Sequence, residues 1–222
     1  MIVLHYTGME SCRAALDRLC DSTAKVSAHY LIDEDGTLYG LVDEAHRAWH
    51  AGVASWHGET DINGRSVGIE LVNPGHEFGY RGFPEAQMSR LESLCAGIMD
   101  RHDISAARVL GHSDVAPARK QDPGELFEWR RLAAKGLAVW PDPAPVDSLT
   151  LRLGDENDDV FALQGALGAI GYGIAPNGVF GPETEAVVTA FQRRYRQALV
   201  DGIADPETRS MVNGLMLLFV DV

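Results

Sequence analysis

Two apolar runs of this chain end in histidine: Met1-Ile2-Val3-Leu4 leads into His5, and Val109-Leu110-Gly111 leads into His112 and on to Ser113-Asp114. Runs so short and so apolar read as buried strands. Behind the second, Pro117-Ala118-Arg119-Lys120-Gln121-Asp122-Pro123-Gly124 carries a lysine and an aspartate on a loop that proline and glycine stiffen. Two histidines at strand ends and a carboxylate on a stiff loop make a three-ligand metal set, His5, His112 and Asp122. Such a set suits zinc with one position left for water, the pattern of a hydrolase. The competing reading makes each histidine a hydrogen-bonded core or edge residue, since positions so far apart meet only if the fold joins them.

A third segment, Ser66-Val67-Gly68-Ile69-Glu70-Leu71-Val72, has the pattern of a buried strand but carries Glu70 in its middle. A carboxylate inside an apolar strand costs several kcal/mol unless it is paired, kept protonated or used. A salt bridge to Arg65 or Lys120 is the alternative to a catalytic role.

His5-Tyr6-Thr7, Ser27-Ala28-His29-Tyr30-Leu31-Ile32, Ala48-Trp49-His50-Ala51-Gly52, Gly68-Ile69-Glu70-Leu71, Gly111-His112-Ser113-Asp114 and Arg119-Lys120-Gln121-Asp122-Pro123-Gly124 occur here in one order. In that order the segment from Met1 to Trp140 resembles the zinc-dependent N-acetylmuramoyl-L-alanine amidases of the AmiD and AmpD type. More distantly it is similar to phage lysozyme-like amidases and animal peptidoglycan recognition proteins. The resemblance implies one catalytic zinc on His5, His112 and Asp122, and hydrolysis of the amide joining the lactyl group of N-acetylmuramic acid to L-alanine. Glu70 is then the general base and acid, its strand setting expected to raise its pKa. Lys120 is placed to stabilise the oxyanion. Tyr30 is a candidate hydrogen-bond donor to the intermediate, with His29 beside it, and Trp49 and His50 are candidates to line the groove for sugar or stem peptide. His46, His57, His76 and His102 read as surface residues. The alternative from another class is a non-catalytic peptidoglycan recognition protein.

Charge narrows the partners. The net charge of −13 divides into 14 basic and 20 acidic side chains up to Trp140, and 5 and 12 beyond it. An acidic chain with no basic run argues against nucleic acid and anionic membrane surfaces and says nothing specific about a glycan partner; it is the resemblance that implies peptidoglycan or muropeptides as the partner, and a monomer is expected. No apolar run approaches the ~20 residues that span a bilayer. The first strand begins at once with no signal peptide before it. A missing leader would place the protein in the cell envelope or periplasm, and the chain as it stands would place it in the cytoplasm. Cys12, Cys20 and Cys95 form no disulfide framework; the first two lie about 12 Å apart along a helix axis, too far to bond.

A connector rich in proline, 141–150, divides an expected catalytic domain, 1–140, from a second, 151–218. In the first, strands are expected near 1–6, 28–33, 37–42, 66–72 and 108–111, with a hairpin turn at Asp35-Gly36. Helices are expected over Ser11 to Leu19 and Pro84 to His102, the latter with Met88, Leu91, Cys95, Ile98 and Met99 on one face. The fold class is α/β, a mixed central sheet flanked by helices, with a small three-helix domain after it.

The second domain repeats itself. Asn177-Gly178-Val179-Phe180-Gly181-Pro182-Glu183-Thr184 is echoed by Asp201-Gly202-Ile203-Ala204-Asp205-Pro206-Glu207-Thr208. Each is a turn, an N-cap at Gly181 or Asp205, a proline at the first helical position and a glutamate in the first turn. A further helix starts at Asp158. With Leu163-Gln164, Gly171-Tyr172 and Phe191-Gln192, this half resembles the three-helix peptidoglycan-binding domain. Leu163, Val187 and Phe191 are expected in its core. Asn177 and Asp201 are the loop candidates for ligand contact, and Ala204-Asp205 departs from the usual pattern.

Overall fold

Ile2, Val3 and Leu4 are all fully buried, which requires apolar cover on both faces of their strand. The computed structural model, which describes residues 1–220, supplies it with a five-stranded mixed sheet in the order β3-β2-β4-β1-β5. These strands are β1 (Ile2–Tyr6), β2 (Tyr30–Ile32), β3 (Leu38–Gly40), β4 (Val67–Leu71) and β5 (Val109–Gly111). β1 lies in the interior of the sheet, parallel to β4 and to β5. β2 runs parallel to β4 and antiparallel to β3. The hairpin between β2 and β3 turns at Gly36, whose φ of +85° suits glycine.

α1 (Cys12–Leu19) starts on a Ser11 cap whose side chain accepts from the Ala14 amide. After the single turn α2 (Gly75–Phe78), the long α3 (Glu85–His102) buries Met88, Leu91, Cys95 and Ile98, as their spacing predicts. Pro84 sits at the cap with an extended ψ of 150°. Gln87 on the same face is buried because its amide donates to Ile32 O and Val72 O, at 2.9 and 3.1 Å, tying the helix to β2 and the end of β4. One turn, α4 (His112–Val115), follows β5, and α5 (Trp129–Ala134) is joined to α3 by Glu92, which bonds both Arg131 and Lys135 at 2.5 Å.

The chain divides into two units. The first comprises Met1–Ala54, Asp61–His112 and Asp122–Val139; the second takes Ser55–Thr60, Ser113–Gln121 and everything from Trp140 onward. Its helices are α6 (Asp158–Ile170), α7 (Pro182–Tyr195) and α8 (Pro206–Val220). The connector lies against α8, with Ala144 N–H donating to Ser210 O at 3.1 Å. Gly214 permits this close approach, because a Cβ there would meet Asp142 O at 2.0 Å.

The internal repeat resolves into two identical clamps. Gln164 Oε1 accepts from the amides of Asn177 and Gly178, while its Nε2 faces Asn177 Oδ1, Val179 O and Thr184 Oγ1. Gln192 does the same to Asp201 and Gly202, and to Asp201 Oδ1, Ile203 O and Thr208 Oγ1. The substitution at Ala204-Asp205 therefore leaves the loop geometry intact. It also changes the reading of Asn177 and Asp201: both are exposed, but Oδ1 of each is committed to its own turn. Leu163, Val187 and Phe191 are core residues.

Candidate metal centre

Strand parity assembles the site. In register His5 pairs with Glu70 across β1 and β4, so both side chains rise from one face of the sheet. Val3 pairs with Leu110, and His112, two residues beyond Leu110, follows on that same side. The structure brings His5, His112 and Asp122 together: His5 Nδ1 lies 2.9 Å from His112 Nδ1, and Asp122 Oδ2 lies 3.0 Å from each. All three are buried. Among the described residues this is the group of three that could hold a metal ion.

Hydrogen bonds on the far side of the rings fix their protons. His112 Nε2 lies 3.0 Å from Ala51 O, and a carbonyl only accepts, so Nε2 carries the hydrogen and Nδ1 presents a lone pair. For His5 the same result comes through a longer chain. Ser66 Oγ donates to Ile62 O at 2.5 Å, so it accepts from His50 Nε2 at 3.2 Å, which leaves His50 Nδ1 to accept from His5 Nε2 at 3.0 Å. Burial, and the neighbouring His5 and His29, push the His50 pKa well below its ordinary value, which keeps that ring neutral.

Two imidazole lone pairs and a carboxylate thus converge within about 3 Å of one another. Without a cation such a set is repulsive. A tetrahedron with bonds of about 2.05 Å has edges of about 3.3 Å, so donor type, number and spacing all fit zinc. The fit extends to the outer partners, His50 and Ala51 O, of the kind that orient metal-bound histidines.

The remaining candidates are placed as follows. Glu70 is half-buried beside His5. Lys120 is half-buried in the second unit, where its backbone N–H donates to Ala116 O at 3.1 Å and the residue lines a groove of about 370 Å³. Tyr30 is not brought to the cluster. It pairs with Ile69 and so points to the face opposite Glu70, where its hydroxyl donates to Glu44 at 2.5 Å. His29 is buried between the Gly68 amide and His46 O, with both ring nitrogens taken. Trp49 is 55% exposed, its indole lying under the Arg47 guanidinium at 5.2 Å. His50, expected in the groove, is instead held by His5 and Ser66. Gly68 makes room for it, since a Cβ there would lie 2.4 Å from the imidazole. His76, expected on the surface, is half-buried and bonded to Tyr6 and Glu125.

This geometry can be set beside known proteins. The family profile described as N-acetylmuramoyl-L-alanine amidase matches residues 1–125, and that of a putative peptidoglycan binding domain matches residues 156–212. The chain belongs to the N-acetylmuramoyl-L-alanine amidase family. The amidase is 35% identical to N-acetylmuramoyl-L-alanine amidase AmiD of Escherichia coli K12, over 97% of this chain and 82% of that one. The 1,6-anhydro-N-acetylmuramyl-L-alanine amidase AmpD of Haemophilus influenzae is 39% identical over 48% of this chain and 56% of its own length. Among solved structures, E. coli AmiD in complex with anhydro-N-acetylmuramic acid-L-Ala-D-γ-Glu-L-Lys superposes with a TM-score of 0.83, at 33% identity, covering 99% of the amidase and 89% of that chain. AmpDh3 of Pseudomonas aeruginosa gives 0.84 at 29% identity, covering 99% and 92%.

Proposed function

We propose that this amidase is zinc-dependent and cleaves the bond between the lactyl group of N-acetylmuramic acid and L-alanine, in peptidoglycan or its fragments. The observation that carries the reading is the convergence of two deprotonated Nδ1 atoms and the Asp122 carboxylate at one point. Zinc held by His5, His112 and Asp122 would supply a Lewis acid that polarises the amide carbonyl and acidifies water. Glu70, in register with His5, takes the proton from the attacking water and returns it to the departing amine. Lys120 keeps the oxyanion role on its sequence position, two residues before Asp122. His50 and Ala51 O hold the ligand rings in their metal-binding tautomers. The exposed Trp49 offers an indole face to a sugar ring.

The second unit supports action at the wall, because a tether to polymer raises the effective concentration of substrate. That favours an envelope location. The substrate bound in the AmiD complex, an anhydro-muropeptide, supports soluble fragments as an alternative substrate. The test is release of stem peptide with a free L-alanine amino terminus, from purified sacculi and from a soluble anhydro-muropeptide, with zinc-loaded, chelated and Glu70→Gln protein in parallel. Release that needs both zinc and Glu70 is expected, and the preferred substrate separates wall from fragment. Binding without release would leave a recognition protein.

A further inference from the structure

The metal-ligand loop is gripped by side chains outside the ligand set. Residues 121–128 form no regular secondary structure, so little in the backbone itself fixes Asp122. Tyr80 Oη donates to Pro123 O at 2.7 Å and accepts from the Leu126 amide at 2.9 Å, spanning the turn that follows Asp122. The His76 ring stacks on Tyr80 with centroids 4.3 Å apart. Gly124 passes under this stack with φ +84°; a Cβ there would lie 2.4 Å from Tyr80 Oη and 3.0 Å from His76 Cε1. The loop is held against two rings so closely that only glycine fits.

The stack is anchored in turn. His76 Nε2 lies 3.1 and 3.2 Å from the two Glu125 oxygens, and its Nδ1 lies 2.9 Å from Tyr6 Oη. A carboxylate accepts only, so Nε2 carries the hydrogen and Tyr6 donates to Nδ1. One tautomer therefore satisfies a relay from Tyr6 through His76 to Glu125. Tyr6 directly follows the ligand His5 on β1, and Glu125 lies three residues beyond the ligand Asp122. The relay ties the third ligand's loop to the first ligand's strand. His76 and Glu125 are each about a quarter exposed, at 26% and 28%, and a hydrogen bond so placed adds little to global stability. Its consequence is local, in where Asp122 stands.

We propose that Tyr6, His76, Tyr80 and Glu125 are positioning residues that set zinc affinity by holding the Asp122 carboxylate at bonding distance from the site made by His5 and His112. The proposal rests on the zinc reading above. Partners of this kind govern metal affinity by about tenfold to a hundredfold. The test titrates zinc alone, by competition with a chromophoric chelator, into the full chain as wild type, Tyr80→Phe and His76→Ala, and records the melting temperature of each metal-free protein. Tyr80→Phe keeps the ring and its stacking and removes the two hydrogen bonds to the loop. A zinc Kd weakened about tenfold or more in both variants is expected, with the metal-free melting temperature of Tyr80→Phe close to that of wild type. A zinc Kd within a few-fold of wild type, with only the melting temperature lowered, would overturn the proposal and reduce the cluster to packing. A wild-type chain that binds no zinc would fail the parent reading instead, a result distinct from either.

Discussion

His50 Nδ1 lies 3.0 Å from His5 Nε2, and Gly68 lies directly beneath the His50 ring. The pair decides which nitrogen of His5 presents its lone pair to His112 and Asp122. If the proton chain from Ile62 O sets that tautomer, His50→Ala weakens zinc binding about tenfold to a hundredfold. Gly68→Ala does the same without removing any donor of the chain, because its Cβ would stand 2.4 Å from the imidazole and displace it. Zinc titration of both variants checks this. Two wild-type affinities would show that His5 is oriented by other means.

The acid stability of the first unit should depend on Glu44. This carboxylate receives Arg101 at 2.6 Å, Tyr30 at 2.5 Å and His102 at 2.5 Å. The Arg101 hydrogen bond, against the opposing effect of burial, lowers its pKa from 4.5 to about 2. A group depressed on folding adds stability that is full above its unfolded pKa and lost as pH falls through the folded one. The melting temperature of wild type therefore declines across the window from about pH 4.5 to about 2, and Glu44→Gln, less stable at neutral pH, shows a shallower decline there. Melting curves at a series of pH values measure both slopes. Equal slopes would remove Glu44 from the account.

Much of this was legible in the letters. The buried runs, the alternation around Glu70 and the face of α3 follow from patterns of period two and 3.6, which a sequence displays directly. The members of the His5, His112 and Asp122 cluster were legible because each stands beside a strand or turn with its own signal. The outer partners were not. Ala51 and Ile62 act through backbone carbonyls, which no side chain announces, and His50 acts through a ring whose place depends on an absent side chain at Gly68. Tyr30 shows the opposite failure. It sits in a motif beside the site, but only the register with Ile69 reveals that it faces away. His76 looked solitary because its partners, Tyr6 and Glu125, lie far from it in the chain.

The glutamine clamps make the second unit's repeat testable. Gln192→Ala would strand the amides of Asp201 and Gly202 and the Ile203 carbonyl beneath the loop. Buried polar groups left without partners cost about 1–3 kcal/mol each, and relaxation towards water recovers part of it, so a loss of about 2–4 kcal/mol is expected. Gln164→Ala should cost a similar amount, since its contacts are the same in kind and number. Urea unfolding of the single variants tests the equivalence. A loss under about 1 kcal/mol in either would mean that the loop holds itself through Asn177 or Asp201 alone.

Within the second unit, Arg194 Nη1 donates to Asp114 Oδ2 at 2.7 Å, and Tyr172 donates to the other oxygen at 2.9 Å. The ion pair is sealed from water, with side-chain exposures of 3% and 1%. Removing one member strands a charge whose desolvation has already been incurred, which typically costs about 3–5 kcal/mol. Arg194→Met is therefore expected to destabilise the second unit by about that much. Replacing both charges removes the stranded one, so Arg194→Met with Asp114→Asn should be more stable than Arg194→Met alone. Denaturant melts of the two single variants and the double give the coupling energy of the pair. If the double variant is no better than Arg194→Met, the cost lies in the packing of the long arginine side chain and not in its charge.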